Sequence, residues 1–150
     1  MICTTKVICI LKTITVEQVS WESCAENIRP IRQAVFIDEQ QVPVELEWDG
    51  LDEHCIHLLA YNNDQPVGTA RMTAAGKIGR MAVLKSWRRY GAGSALLERM
   101  VSIARGDGLT EVVLDAQVYA TPFYANFEFR AFGEEFMDAG IAHRKMRLQL

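Results

Sequence analysis

No apolar run in this 150-residue chain approaches the length of a bilayer crossing, and the N-terminus has no charged segment leading into an uninterrupted apolar core and a small-residue cleavage site. Membrane spans and secretion are therefore not expected. Cysteine is scarce: Cys3, Cys9, Cys24 and Cys55 form no Cys-x-x-Cys pair and stand at no histidine spacing that suits zinc. They read as reduced thiols of a cytoplasmic protein without a metal site. Positive charge is not in excess, since 16 Lys and Arg face 19 Asp and Glu for a net charge of −3. Sequence-independent nucleic-acid binding, which depends on neutralising many phosphates with cations, is excluded as an expectation. Repeats, linkers and low-complexity segments are also missing. What remains is 49% apolar residues in a length that suits one domain around one core.

The densest signal is Lys77 to Glu98, KIGRMAVLKSWRRYGAGSALLE. An apolar strand from Ile78 to Leu84 runs into a basic turn, Lys85 to Arg89, then Gly91-Ala92-Gly93, then an amphipathic helix from Ser94. That order builds an anion site, because the unpaired N–H groups and the positive dipole end of the helix converge just beyond the turn. Gly91 and Gly93 let the backbone approach a phosphate, and Arg88 and Arg89 can add charge. A P-loop is excluded, because the Gly-Lys-Ser/Thr element is absent. A dinucleotide fingerprint is disfavoured by Leu96, which stands where a third Gly or Ala belongs. The stretch reads as a pyrophosphate cradle, with a Gly-rich helix start and solvated arginines as the plainer alternative.

The rest of the chain frames it. Val7 to Leu11 predicts a first strand, and apolar residues at helical spacing predict a helix from Glu26 to Glu39 with Pro30 in its first turn. Gln40 to Glu53 is strongly acidic and reads as a loop or a short second helix. Three strands follow, Ile56 to Tyr61, Pro66 to Thr73 and Lys77 to Leu84, paired as an antiparallel meander. After the cradle helix, Val112-Val113-Leu114 predicts a central strand buried on both faces and parallel to Ile78–Leu84. A helix around Phe123 to Asn126 and strands at Phe129 to Glu134 and His143 to Leu148 complete the reading.

In this order the chain resembles the GNAT acetyltransferase superfamily over essentially its whole length. The cofactor motif of that family is met by Arg88, Gly91 and Gly93 behind Met81-Ala82-Val83, and a second motif by Gln117, Ala120, Phe123 and Tyr124. Ala34-Val35-Phe36, Glu39-Gln40, Val42-Pro43 and Gly140-Ile141 with His143 resemble the small bacterial ElaA-like branch. There are two departures: Gln117 stands where the family usually has Asn, and Glu128 where it usually has Gly. The resemblance implies a single α/β (α+β) domain over residues 1–150, with a mixed, mostly antiparallel twisted sheet flanked by helices and a V-shaped opening between the fourth and fifth strands.

It further implies an acetyl-CoA-dependent N-acetyltransferase acting by direct transfer. Backbone groups from Arg89 through Tyr90, Gly91, Ala92 and Gly93 to Ser94 would take the coenzyme A pyrophosphate. Met81, Ala82 and Val83 would pair with the pantetheine arm like an added strand. Tyr124 would protonate the leaving thiolate, since a phenol is protonated at neutral pH. Glu39 is the first choice for base or water-positioning group, with His57 and His143 as alternatives. Glu45, Glu47, Asp49, Asp52 and Glu53 suggest a rim that concentrates a cationic acceptor, a small-molecule or peptide amine. Arg71 and Arg80 would instead favour an anionic group if they face the cleft. A coenzyme A-binding module without turnover, a non-amine acceptor and a homodimer stay open at this point.

Overall fold

The computed structural model describes residues 13–150, so the strand expected from Val7 to Leu11 lies outside the described residues. Seven strands form one sheet: β1 Ile14–Val19, β2 Ile56–Asn62, β3 Gln65–Met72, β4 Lys77–Val83, β5 Glu111–Gln117, β6 Arg130–Asp138 and β7 Ile141–Gln149. Their order is β1-β2-β3-β4-β5-β7-β6, and every neighbouring pair is antiparallel except β4 with β5. The helices are α1 Trp21–Arg32, α2 Val44–Glu47, α3 Ala92–Gly106 and α4 Thr121–Ala125.

The period of two along β2 divides the core. Leu58 and Ala60 point to the layer of α3, where Leu96, Leu97, Met100 and Ala104 are fully buried. Leu59 points the other way, to Ile28, Ile31 and Val35. Each buried aliphatic side chain contributes about 1.5–3 kcal/mol relative to exposure, so the two layers together fix the sheet between α1 and α3.

Two helix expectations need correction. α1 begins at Trp21, not Glu26, because Ser20 caps it by accepting a hydrogen bond from the Ser23 N–H. Pro30 therefore lies inside the helix. A buried apolar stripe of Ile28 and Ile31 holds the helix together across the missing donor. Just beyond Pro30 the Gln33 N–H is shared between the carbonyls of Arg29 and Pro30, and the chain widens into a π-helical segment, Gln33–Glu39.

β1 is not among the expected strands; from β2 onward the strand expectations hold in place and differ in detail. β5 is not buried on both faces: Val112, Leu114 and Ala116 are buried while Val113 and Asp115 are half-buried. Its parallel pairing with β4 covers only Lys77 with Val113 and Ile78 with Leu114. Beyond Ile78 the two strands part, and this divergence is the V-shaped opening. β4 also carries one residue more than β3 between the pairs Thr69–Ala82 and Arg71–Gly79. The extra residue is a bulge at Arg80, whose φ is +49°.

Glu128, the departure from the family pattern, sits at φ +69°. Its N–H donates to the Ala125 carbonyl, and the Phe127 and Phe129 N–H groups both reach the Tyr124 carbonyl. The turn after Tyr124 is thus formed with a strained Glu where Gly fits freely. A left-handed non-glycine residue costs about 1–2 kcal/mol, partly offset by the larger unfolded-state entropy of glycine. Glu128→Gly is expected to raise stability by about 0.5–1 kcal/mol in a urea titration. A loss of stability would show that the Glu side chain contributes more than the backbone strain removes.

Candidate active site

The opening between β4 and β5 is the mouth of a cleft of about 360 Å³. Among the residues lining it are Gln40, Leu46, Asp49, Leu51, Arg71, Arg80, Met81, Asp115, Gln117, Tyr119, Ala120, Tyr124 and His143. The bulge explains why consecutive residues of β4 reach one side: a regular strand would send Arg80 and Met81 to opposite faces, yet both line the cleft. Because β5 leaves β4 after Ile78, the edge of β4 from Gly79 to Val83 is not paired by β5.

At the far end of β4 the chain makes a short 3-10 turn, Lys85–Trp87, and enters α3 through Gly91 at φ +87°. No side chain caps α3, and the Ala95 N–H is the first to reach back along the helix, to the Gly91 carbonyl. The N–H groups of Ala92, Gly93 and Ser94 precede it, and they are the orphan donors of a helix start. A Cβ at Gly91 would meet nothing within 4 Å, while at Gly93 it would lie 3.6 Å from the Phe123 ring. Phe123 thus packs the second motif directly against the first. Tyr90 is exposed at the turn.

Arg88 does not extend freely into this cradle. Its Nε donates to the Val83 carbonyl at 3.0 Å, and its two terminal nitrogens donate to both carboxylate oxygens of Glu39 at 2.8 and 3.0 Å. The next residue, Gln40, accepts a hydrogen bond from the Gln117 side-chain amide at 2.9 Å. Two adjacent residues therefore tie the end of the π-helical segment to both walls of the opening, Glu39 to the chain after β4 and Gln40 to the end of β5. Gln40 is a site residue that sequence reasoning did not single out. Its partner is 77 positions away, and no local pattern carries that pairing.

Tyr124 lies inside the cleft with its hydroxyl 3.8 Å from the Met81 sulfur and its ring edge-on to Phe123. Burial, with a smaller effect from Tyr119, pushes its pKa up to about 12. His143 lines the same cleft, stacked on Phe136. Its Nδ1 lies 2.7 Å from the Ile141 carbonyl, which can only accept, so Nδ1 carries the proton and Nε2 keeps a lone pair in the neutral ring. Asp115 bridges Lys77 at 2.8 Å and Lys145 at 3.5 Å. Burial alone would raise its carboxyl, but the two ammonium groups hold it below the usual range.

The acidic segment folds back on three arginines. Arg32, itself 1% exposed, contacts Glu47 and Asp52; Arg71 grips Asp49 with two nitrogens and also meets Asp52; Arg80 meets Glu47 and Asp49. Three acids thus face three arginines. The Arg71 hydrogen bonds hold the Asp49 carboxyl well below its usual range, whereas burial outweighs Arg32 at Glu47 and pushes that carboxyl up. The expected acidic rim is largely neutralised, because its carboxylates are needed as partners for buried guanidinium groups. Glu45 does not line the cleft. Neither does His57, which is buried against Trp21 with Nε2 donating to the Asp52 carbonyl at 2.8 Å and Nδ1 unpartnered.

A family model described as an acetyltransferase (GNAT) domain matches residues 10–150. The chain belongs to the GNAT acetyltransferase family. Relatives from Bacillus subtilis (strain 168) include one described as a candidate acetyltransferase, 35% identical over 91% of this chain and 97% of its own. Another, the uncharacterized N-acetyltransferase YjcF, is 38% identical over 77% of this chain and 86% of its own. Among solved structures, Escherichia coli ElaA superposes with a TM-score of 0.80 at 26% identity, covering 90% of this chain and 99% of its own. An acyl-CoA N-acyltransferase from Pseudomonas aeruginosa gives a TM-score of 0.76 at 28% identity, covering 90% and 97%.

This acetyltransferase is accordingly an acyltransferase enzyme, and its family generally uses acetyl-CoA. Within it, the cleft gathers Met81, Gln117, Ala120, Tyr124, Asp49, Arg71, Arg80 and His143 from the residues expected on sequence. Lys77, Tyr119, Leu46 and Leu51 join them without having been foreseen. Among the described residues no helix is long and apolar enough to cross a membrane, and no group of His, Cys, Asp and Glu is arranged to hold a metal ion.

Proposed function

We propose that the protein transfers the acetyl group of acetyl-CoA to a primary amine by direct transfer with both substrates bound. One observation carries the reading: a single cleft brings the Tyr124 hydroxyl beside a β4 edge that β5 leaves unpaired, and that edge leads into the uncapped start of α3. Acetyl-CoA supplies an acyl group already activated as a thioester. Its pyrophosphate suits the N–H groups from Arg89 to Ser94, because Gly91 leaves the approach open and the helix dipole favours an anion there. The edge at Met81, Ala82 and Val83, unpaired by β5 although the Arg88 Nε holds the Val83 carbonyl, suits the amide-bearing pantetheine arm, which can add to it as a strand. Gln117 and Ala120 line the facing wall, and Phe123 packs on Tyr124 and beside Gly93.

Tyr124 holds the proton for the departing sulfur. Its raised pKa keeps the O–H intact through the physiological range. The same dry surroundings raise the pKa of a thiolate formed beside it, so donor and acceptor shift together. A backbone N–H near Met81 to Val83 is the donor for the carbonyl oxygen. For the proton of the incoming ammonium we assign His143, whose Nε2 lone pair belongs to a cleft-lining ring held in one tautomer. Glu39 suits this role less well, because both of its oxygens are engaged by Arg88; it holds Arg88 in place instead.

Two measurements test the reading together. Coenzyme A at 100 times its dissociation constant should stabilise the protein by about 2.7 kcal/mol. In Gly91→Ala, strained at φ +87°, that stabilisation should largely vanish. Mass spectrometry of the product formed from acetyl-CoA and an amine should show an N-acetyl group. No melting shift in the unaltered protein would defeat the cradle, and an acetylated hydroxyl or thiol would replace the amine.

A further inference from the structure

The acceptor side of the cleft is unusual in what it exposes. Leu46 is 51% exposed, Leu51 50% and Tyr119 76%, and all three line the cleft. They come from two separate parts of the chain, the segment before β2 and the turn after β5, so apolar surface meets the mouth from both walls. The charges between them are matched. Glu47 and Asp49 are held by Arg32, Arg71 and Arg80, and Asp115 by Lys77 and Lys145. Of the four carboxylates that line the cleft, only Asp138 has no cationic partner among the described residues.

We infer that the acceptor is a monoamine joined to an apolar or aromatic body, and that polyamines are excluded. The inference rests on the amine-transfer reading above and deepens it. Each ammonium group brought into the cleft loses water and needs an unmatched anion in exchange, which an aromatic face supplements. One free carboxylate and the Tyr119 ring serve one ammonium; a second or third would meet carboxylates already taken by arginine or lysine. Leu46, Leu51 and Tyr119 lose contact with water only when something apolar covers them, which a slender polyamine does poorly.

Phenethylamine and spermidine, each with acetyl-CoA, are the probes. Phenethylamine should show a kcat/KM at least about tenfold above that of spermidine, as one or two buried apolar groups would give. Leu46→Ser combined with Leu51→Ser, both exposed and remote from the core, should raise the KM for phenethylamine about tenfold and change the KM for acetyl-CoA far less. Equal or faster turnover of spermidine, or an unchanged phenethylamine KM in the double variant, would overturn the inference while leaving amine transfer intact. If neither amine releases coenzyme A although coenzyme A still raises the melting temperature, amine transfer itself fails. In that case, phenethylamine binding to the coenzyme A-loaded protein, measured calorimetrically and weakened about tenfold by the double variant, would still support an apolar amine mouth, and no binding would overturn it.

Discussion

Tyr124→Phe lowers kcat by about a hundredfold or more and leaves the dissociation constant of coenzyme A nearly unchanged, the range expected when a positioned general acid is removed. The two effects separate because they come from different atoms. On the proposed reading, cofactor affinity resides in main-chain groups of β4 and the start of α3, whereas the only hydrogen-bond partner of the Tyr124 hydroxyl among the described residues is the Met81 sulfur at 3.8 Å. Removing that oxygen therefore costs the fold little, and the edge-on packing with Phe123 survives in the variant. Steady-state kinetics and a binding titration on the same preparation decide it. Weaker coenzyme A binding with undiminished turnover would remove Tyr124 from the chemistry. The pH profile adds an independent check. With its pKa raised to about 12 by burial, Tyr124 stays protonated through pH 10, so its ionisation cannot account for an alkaline decline between pH 8 and 10.

Arg32→Met destabilises the protein by about 3–5 kcal/mol, the usual cost of leaving buried charges without their partner. For a chain of this length that is a fall of the melting temperature on the order of 10 °C. Arg32 is fully enclosed, and without it Glu47 and Asp52 keep their carboxylates at 3% and 7% side-chain exposure with only Arg80 and Arg71 to share. The pH dependence has a definite sign. Burial already lifts the folded pKa of Glu47 above its ordinary 4.5, so its protonated form fits the fold better, and that contribution is present below the unfolded pKa and lost as pH rises. The penalty of Arg32→Met is thus largest at neutral pH and shrinks as pH falls toward 4.5. Asp49 works the other way: its lowered pKa supports the native protein above its ordinary 3.8 and fails it below. Denaturant titrations at pH 5 and 8 measure the difference. Adding Glu47→Gln should recover part of the loss, and a full-size penalty in that double variant would place the cost elsewhere.

The extent to which this was legible in the sequence varies from residue to residue. The meander, the cradle and the helix after it depend on neighbours close in the chain: short turns between β2, β3 and β4, a glycine that accepts φ +87°, and an apolar stripe on α3. Such short-range requirements are visible in order and spacing. The pairing of the acidic segment was not legible, because composition records charge and not partners. Its carboxylates find Arg32, Arg71 and Arg80 at separations of 15 (Arg32–Glu47) to 33 (Arg80–Glu47) positions, beyond any local pattern. In the same way, Glu39 has a partner that spacing does not reveal: Arg88, named for phosphate, takes both of its oxygens. His57 and His143 look alike on paper. Packing buries one beneath Trp21 and brings the other to the cleft.

From its order of residues alone, this chain determines a strand, a glycine turn and an uncapped helix start that suit an anion, a tyrosine in the second motif and the family it belongs to, because each is written in residues close in the chain. Only the folded sheet decides which charges cancel, which histidine meets the cleft and how far β4 and β5 remain paired. Those outcomes depend on distances between segments far apart in the chain, and Coulomb energy and burial act on distance in space, not on position along the backbone.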